Sequence, residues 1–278
     1  MQIDPRYEGP PIVTLEGDGN CAAALVRQRQ RLTATLESLS DDEWAAPSRC
    51  ADWTVQDVAT HLVTVNGFWR YSILSGLAGE PTRLLVDFDP KATPAALVEA
   101  AGAQPPAETL AQLIASSEAL CEVLEGLDGG QWDTVAETPV GLIPVRLLAL
   151  HALWDCWVHE RDIVVPLGRP EVCEPDEVMA GLQYVAGLGP AFALASGRAT
   201  PATLVLETTE PGGRVVVEVG ERITIHDRPV ADPSVVVRGR AVDLVEQLSA
   251  RAPLTAAASV PDEHRWLVAS LAEVFESA

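Results

Sequence analysis

The first sign of chemistry in the sequence is an acid and a histidine one helical turn apart. Asp155 and His159 are four residues apart in an apolar run, so on a helix they are separated by about 40° and point toward one place. With 5 histidines and 40 acidic residues among 278, roughly 0.7 such pairs arise by chance. Taken alone, the pair is more often a solvated or hydrogen-bonded helix pair than half of a metal site.

A third candidate, His61, lies in another apolar run between Val58 and Val65. A single histidine on an inward helix face is more often a satisfied core residue. The three residues together are a stronger indication of a metal site than any one of them alone, because the core of a helical bundle brings facing helices close enough for one histidine to meet an i, i+4 pair. Two imidazoles and one carboxylate with open positions favour a catalytic divalent metal, zinc first and iron or nickel second.

The residues around these three have open roles. His151 is four residues before the acid of the pair. It is a fourth ligand, a partner that orients a ligand, or a structural residue, and the last two are favoured. Glu160 and Asp162 are expected at the surface or behind the ligands. Of the tryptophans, only Trp154 and Trp157 are expected near the pocket.

The elements that must position these side chains are helices. Apolar residues at helical spacing predict four of them, over about residues 20–38, 54–77, 94–127 and 144–165. Thr54 and Asp57 have the spacing of a capping box at the start of the second helix. The adjacent Pro105 and Pro106 break the third, and Pro144 suits the first turn of the fourth. An antiparallel four-helix bundle is the expected architecture.

Beyond about residue 170 the pattern changes to short β-type runs separated by turn signals. Strands are predicted over 202–207, 214–219, 222–225 and 234–237, with helices over about 175–188, 241–249 and 262–277. The fold class is therefore α+β, mainly α, with antiparallel strands in the C-terminal part. We expect an N-terminal arm over 1–18, a metal-binding bundle over 19–170 and a smaller α+β domain over 171–278.

Composition limits the partners. The 19 basic and 40 acidic residues give a formal charge of −21, which disfavours nucleic acid and anionic membrane surfaces. The five cysteines are odd in number and include no CxxC pair, so neither a disulfide framework nor a thiolate zinc site is expected. Without a signal-like or membrane-spanning stretch, the sequence predicts a cytoplasmic monomer or homodimer that acts on a small molecule.

Two stretches carry a resemblance to a known family. Residues 50–62 read CADWTVQDVATHL, a tryptophan followed by a capped helix that ends in His-Leu, and residues 155–163 read DCWVHERDI. In this order and at this separation, they resemble the signature of the mycothiol-dependent maleylpyruvate isomerase family. The resemblance spans nearly the whole chain and implies a DinB-like four-helix bundle followed by a domain similar to sterol carrier protein 2.

The resemblance also implies site residues and cofactors. It implies zinc held by residues matching His61, Asp155 and His159, with mycothiol as a thiol cosubstrate that the metal activates. The founding isomerase of the family has Glu where this chain has Asp155. The family also uses an arginine near the end of the second domain, for which Arg251 is the best match and Arg238 and Arg240 are alternatives.

Three functions follow, in decreasing order of preference. The first is a thiol-dependent isomerase or S-transferase that acts on a small electrophile, with Arg251 holding a substrate carboxylate. The second is a thiol-independent, metal-dependent hydrolase or lyase of specialised metabolism. The third is a non-catalytic small-molecule-binding protein in which the bundle is a scaffold.

Overall fold

The first part of the chain folds as a bundle of helices. The structure, a computed structural model, describes residues 4–17, 19–255, 258 and 260–276. Its helices up to residue 165 are α1 (Ala22–Glu37), α2 (Asp41–Trp44), α3 (Val55–Leu77), α4 (Ala92–Ala101), α5 (Pro106–Glu125) and α6 (Val145–Val164). Helices α1, α3, α5 and α6 pack against one another as a four-helix bundle, and the predicted bundle is thereby confirmed.

Local sequence signals set where these helices begin. Thr54 Oγ1 accepts a hydrogen bond from the backbone N–H of Asp57, and the Asp57 carboxylate accepts one from the backbone N–H of Thr54, which completes the predicted capping box of α3. Pro105 is extended and immediately precedes α5. Pro144 is the N-cap of α6 and not its first helical residue, a difference of one position from the prediction.

The C-terminal part contains a five-stranded sheet and three further helices. The strands of the chain are β1 (Val13–Leu15), β2 (Val135–Thr138), β3 (Gly141–Pro144), β4 (Ala202–Thr209), β5 (Gly212–Val219), β6 (Ile223–His226) and β7 (Val235–Gly239). The helices are α7 (Pro175–Ala195), α8 (Ala241–Leu248) and α9 (Trp266–Glu276). The sheet has the order β1-β6-β5-β4-β7. The α+β class with mainly helical content is confirmed.

The sheet is mixed, whereas the sequence predicts antiparallel strands. Strands β4, β5 and β6 form an antiparallel meander. Strand β7 pairs in parallel with β4, because the chain crosses from one edge of the meander to the other before β7 begins. Strand β1 pairs in parallel with β6 at the opposite edge.

The segment before residue 19 takes part in the fold, although the sequence predicts a loose arm there. Val13 pairs with Ile223 in the sheet, and Arg6 forms a parallel bridge to Gly141. The hairpin β2–β3 is also absent from the sequence prediction, because four-residue strands are too short to show alternation. Both misses concern short elements whose partners are distant in sequence.

Helix α7 joins the two parts. It packs against α6 on one side and against β5 and β6 on the other, and it extends seven residues beyond its predicted end. By length and composition, α7 is the one described helix that could cross a membrane, and 72% of its most apolar window is buried inside the fold. That burial is typical of a core helix. The main apolar core is continuous from the bundle through α6 and α7 to the sheet.

Candidate metal centre

His61 is held by the second turn of α3. The capping box at Thr54 fixes where this helix begins. Val58 and Leu62, on either side of His61, are fully buried in a smaller apolar cluster that also contains Cys156 of α6. The imidazole therefore lies in the interior between α3 and α6, where the residue is 7% exposed.

Helix α6 contributes Asp155 and His159 from one face. Asp155 Oδ2 lies 3.8 Å from Nε2 of His61, and Asp155 Oδ1 lies 3.6 Å from Nε2 of His159. One ligand atom from each of the three residues lies within 4.8 Å of the other two. The two histidine rings meet edge to face with centroids 4.9 Å apart. The structure thus brings together the three residues that the sequence singles out.

The three side chains fit a divalent metal. A tetrahedral zinc with ligands at about 2.0–2.2 Å holds its ligand atoms about 3.3–3.6 Å apart, so these ligand atoms, which lie within 4.8 Å of one another, would need to close by no more than about 1 Å. Asp155 Oδ2 is buried and has no hydrogen-bond partner among the residues that the structure describes. Because a buried carboxylate oxygen without a donor costs free energy, this atom is one that a cation would satisfy.

The protonation states of two of these groups suit metal binding. Burial lowers the pKa of His61, which keeps the ring neutral and able to bind a metal. For Asp155, burial raises the pKa, but the nearby His61 and His159 outweigh it and hold the pKa well below its usual range. Asp155 is therefore ionised at neutral pH.

A second group of donor atoms lies behind His159. It consists of Cys50, Asp162 and the Nδ1 side of the same imidazole, with ligand atoms again within 4.8 Å of one another. His159 Nδ1 donates to Asp162 Oδ2 at 3.0 Å, and Cys50 Sγ donates to the same oxygen at 3.1 Å. The Asp162 side chain is fully buried.

Two arginines complete the surroundings of Asp162. Arg251 donates through Nε and Nη2 at 3.0 Å, and Arg49 Nε lies 3.2 Å away. Burial raises the pKa of Asp162, but His159 and Arg251 outweigh it and hold the pKa well below its usual range. Since this carboxylate is already saturated by donors and cations, the second group orients His159 and is a poor site for a metal of its own.

Metal binding must change the protonation state of His159. Burial lowers its pKa, but Asp162, Cys50 and Asp155 outweigh burial and raise the pKa to about 10. At neutral pH the metal-free ring therefore carries a proton on each nitrogen, one facing Asp162 and one facing Asp155. Metal binding at Nε2 displaces the second of these protons.

Arg251 reaches the site from the segment that follows α8. Burial lowers its pKa, but the adjacent carboxylate of Asp162 raises the pKa above its ordinary value. The two alternatives from the resemblance lie elsewhere. Arg238 pairs with Glu207 and Arg240 with Glu210, and both arginine side chains are more than half exposed.

Comparison with known proteins places the chain in a family. The family model described as the mycothiol maleylpyruvate isomerase N-terminal domain matches residues 25–164. The match covers 140 of the 278 residues and contains all three candidate ligands. The chain belongs to this family. No curated protein matches the chain in sequence.

Solved structures agree with the predicted DinB-like fold of this family member. Two crystal structures of the mycothiol-dependent maleylpyruvate isomerase, one of them a mutant, are similar to it with a TM-score of 0.57 each. Their sequences are 15% and 16% identical to this one. Each match covers 83% of this chain and 88% of the crystallised chain. At this identity the likeness establishes the fold. The similarity of the C-terminal domain to sterol carrier protein 2 stays a prediction.

The aromatic neighbours of the site in this family member differ from the sequence prediction. Trp53, which directly precedes the N-cap of α3, lies with its ring centroid 5.2 Å from His61 and 6.5 Å from His159. Trp157 is instead fully buried under the guanidinium of Arg161. Trp53 stands inside the stretch that carries the family resemblance, and this was the available signal for it.

The other residues predicted to lie near the metal site are on different sides of α6. Glu160 pairs with Arg31 of α1, so it supports the bundle and not the site. His151 lies one turn before Asp155 and outside the group of ligand atoms. Sequence reasoning missed Arg49 and Cys50, whose contacts with the site depend on a loop that folds back against α6.

Proposed function

We propose that this chain is a cytoplasmic, metal-dependent enzyme that activates a thiol for attack on a small electrophile, as an isomerase or S-transferase. The observation that carries the proposal is the convergence of His61, Asp155 and His159 within 4.8 Å, with Asp155 Oδ2 buried and unpartnered. Membership of a family named for a mycothiol-dependent isomerase supports the thiol. Two imidazoles, one carboxylate and an open position are typical of catalytic zinc, which we take as the metal.

The residues around the metal would prepare it for this chemistry. When bound, the metal supplies Lewis acidity that lowers the pKa of a thiol or water in its open position. Asp162 fixes the orientation of His159 through Nδ1 and makes Nε2 the more basic ligand atom. Arg49 and Arg251 hold Asp162 in turn.

Arg251 would also recognise substrate. Within the described part of the chain, its Nη1 has one long contact, 3.4 Å to the carbonyl of Ser249, so it retains donors for a substrate carboxylate. The side chain is 21% exposed, and it is accessible from outside the bundle. A small anionic electrophile fits this arrangement, and maleylpyruvate, named in the family description, is the first substrate to try.

The test begins with metal content. Protein purified without chelator is expected to contain close to one divalent ion per chain, and His61→Ala is expected to lose it. His264→Ala, a histidine outside the site, serves as the matched control and should retain the ion. A metal-free wild-type protein that also fails to take up added zinc or cobalt would overturn the proposal.

The thiol is tested separately. Maleylpyruvate, an epoxide and an activated alkene are each followed with and without mycothiol, using wild-type protein and His61→Ala. Turnover that requires both mycothiol and His61 is the expected result. Turnover without any thiol would favour a metal-dependent hydrolase or lyase. A small-molecule ligand bound equally well by His61→Ala, with no turnover, would favour a non-catalytic binding protein.

A further inference from the structure

A histidine and a tyrosine form a hydrogen-bonded pair one helical turn from the candidate ligands. His151 lies on α6 four residues before Asp155, so the two share a face about 6 Å apart along the axis. Tyr184, on α7, lies with its hydroxyl 2.5 Å from Nδ1 of His151. The metal centre proposed above uses neither residue.

The surroundings of the pair decide where its protons are. Tyr184 is 4% exposed, and among the described residues its hydroxyl has no other hydrogen-bond partner. If Nδ1 carried the ring proton and donated to the hydroxyl, the phenolic proton would have no acceptor, which is disfavoured for a buried group. The hydroxyl therefore donates to Nδ1, and the ring proton is on Nε2.

The donor nitrogen is held in place and remains accessible. Trp69 and Trp154 flank the His151 ring, with centroids 4.5 and 5.6 Å away. His151 is 7% exposed, and Nε2 has no hydrogen-bond partner among the described residues. This donor, one turn from Asp155 on α6, is therefore free to bind a ligand.

We propose that His151 donates a hydrogen bond through Nε2 to a carbonyl or enolate oxygen of the substrate, and that Tyr184 is the positioning residue that holds this tautomer. The inference rests on the proposed function and narrows its substrate class. A neutral N–H one helical turn from Asp155 can polarise the carbonyl of a bound substrate, whereas it offers nothing to an alkyl halide. An electrophile conjugated with a carbonyl is therefore the class that fits.

Burial supports a neutral donor. It lowers the pKa of His151 to about 4, so the ring carries a single proton at neutral pH. Burial also raises the pKa of Tyr184 well above its ordinary value, so the phenol keeps its proton. Because both groups hold these states, the direction of the hydrogen bond between them is the same throughout the neutral range.

The tautomer is tested without any enzyme assay. Long-range proton–nitrogen NMR spectra of ¹⁵N-labelled protein distinguish the two neutral forms of histidine. The expected result is the Nε2–H form for His151 in the wild type and a mixture of both forms in Tyr184→Phe. Ser249→Ala, which removes the nearby buried hydrogen bond from Trp154 Nε1, should leave the His151 signals unchanged. An Nδ1–H form in the wild type would overturn the inference.

The donor role is tested with acetohydroxamate, whose carbonyl oxygen binds metals, on cobalt-loaded protein followed by its visible spectrum. His151→Leu is expected to bind the probe about tenfold more weakly at unchanged cobalt content, and His151→Gln, which restores an N–H donor, to recover most of the loss. Equal binding by wild type and His151→Leu would overturn this inference alone. Failure of the wild type to bind cobalt would overturn the proposed metal centre.

Discussion

The two faces of the His159 imidazole have opposite electrostatic designs. On the Nε2 face, the ring meets the neutral imidazole of His61 and the carboxylate of Asp155, whose Oδ2 is buried without a hydrogen-bond donor among the described residues. On the Nδ1 face, the carboxylate of Asp162 accepts hydrogen bonds from a thiol, an imidazole and Arg251, and it forms an ion pair with Arg49. Both faces have three potential metal ligands at similar spacing. Ligand types alone therefore do not identify a metal site.

The difference lies in what the carboxylates already bind. A carboxylate that is saturated by arginines gains little from a cation and would place it beside like charges. A carboxylate with a free buried oxygen gains much more. We infer that the first face, around Asp155, binds the metal and that the second, around Asp162, fixes the ring.

The largest effect is expected from Asp155→Asn. Loss of a ligand should weaken metal affinity by more than about 100-fold, because loss of a supporting residue alone costs about 10–100-fold. The free energy of unfolding of the metal-free protein should fall by about 1–2 kcal/mol, because the lost carboxylate faces the protonated His159 ring, with Oδ1 3.6 Å from Nε2. Competition with a chromophoric chelator measures the affinity, and urea unfolding the stability.

Asp155→Glu is the rescue variant for this prediction. It keeps a carboxylate on a side chain one methylene longer, and it should hold affinity to within about tenfold of the wild type. A metal affinity for Asp155→Asn within threefold of the wild type would contradict the assignment of the first face.

On the second face, Asp162→Asn should affect stability more and metal binding less. It leaves Arg251, about one-fifth exposed, without its buried anion, whereas Arg49 keeps its ion pair with Glu246. We expect a loss of about 2–3 kcal/mol in unfolding free energy, below the full cost of a broken buried pair because the arginines reach solvent. Metal affinity should fall about 10–100-fold.

The matched control is Asp176→Asn. Its partner Arg27 is at the surface, where Asp176 is 61% exposed, so removal of this charge should change stability by less than about 0.5–1 kcal/mol. Equal destabilisation by both variants would show that the Asp162 pairs contribute no more than a surface pair does.

The ligand face was more accessible to sequence reasoning than the supporting face. Asp155 and His159 are one turn apart on a single helix, so local helix geometry predicts that they share a face. The capping box of α3 is also a local signal, and it predicts where the helix that holds His61 begins. Asp162 is only three residues from His159, yet its role depends on Arg251, which lies 89 residues later. No local pattern contains that contact.

The same limit explains what was missed in the fold. Strand β1 has three residues, and its partner Ile223 is about 210 positions away, so neither alternation nor turn residues mark it. The crossover that makes β7 parallel to β4 is likewise a property of the assembled sheet. The beginnings of α3, α5 and α6, in contrast, were predicted within a few residues because caps and prolines act locally, whereas α7, whose end no such signal marks, extends seven residues further than predicted.

The pH dependence of metal binding sharpens the comparison further. The pKa of His159 is raised from 6.5 to about 10 by the second face, so over that range metal binding must displace its Nε2 proton. Affinity should rise about tenfold per pH unit between about pH 7 and 9, with release of one proton per ion. His61, whose pKa is lowered, releases none at neutral pH.

The sign follows from the raised value. The protonated ring stabilises the metal-free fold below pH 6.5, and that contribution is lost as the pH rises toward 10. Calorimetry in two buffers of different ionisation enthalpy measures the protons released. In Asp162→Asn the rise in affinity should end at lower pH, whereas a flat affinity above pH 7 in the wild type would rule out a protonated His159.

The smallest effect is expected from Cys50→Ala, although its thiol is the softest potential ligand in the area. Cys50 Sγ faces Nδ1 of His159 at 3.6 Å and donates to Asp162, so it is on the far side of the ring from the Nε2 ligand atom. We expect metal affinity within threefold of the wild type, because the three ligands and the saturated Asp162 are unchanged.

Cobalt-loaded wild-type protein without added thiol should accordingly lack the near-ultraviolet band of a sulfur–cobalt bond. Such a band, if Cys50→Ala removed it, would place the ion on the Nδ1 face and invert the comparison. Absence of the band together with loss of the ion in Asp155→Asn would leave one consistent arrangement: the metal on the Nε2 face, and a thiol bound to it only when it arrives as substrate.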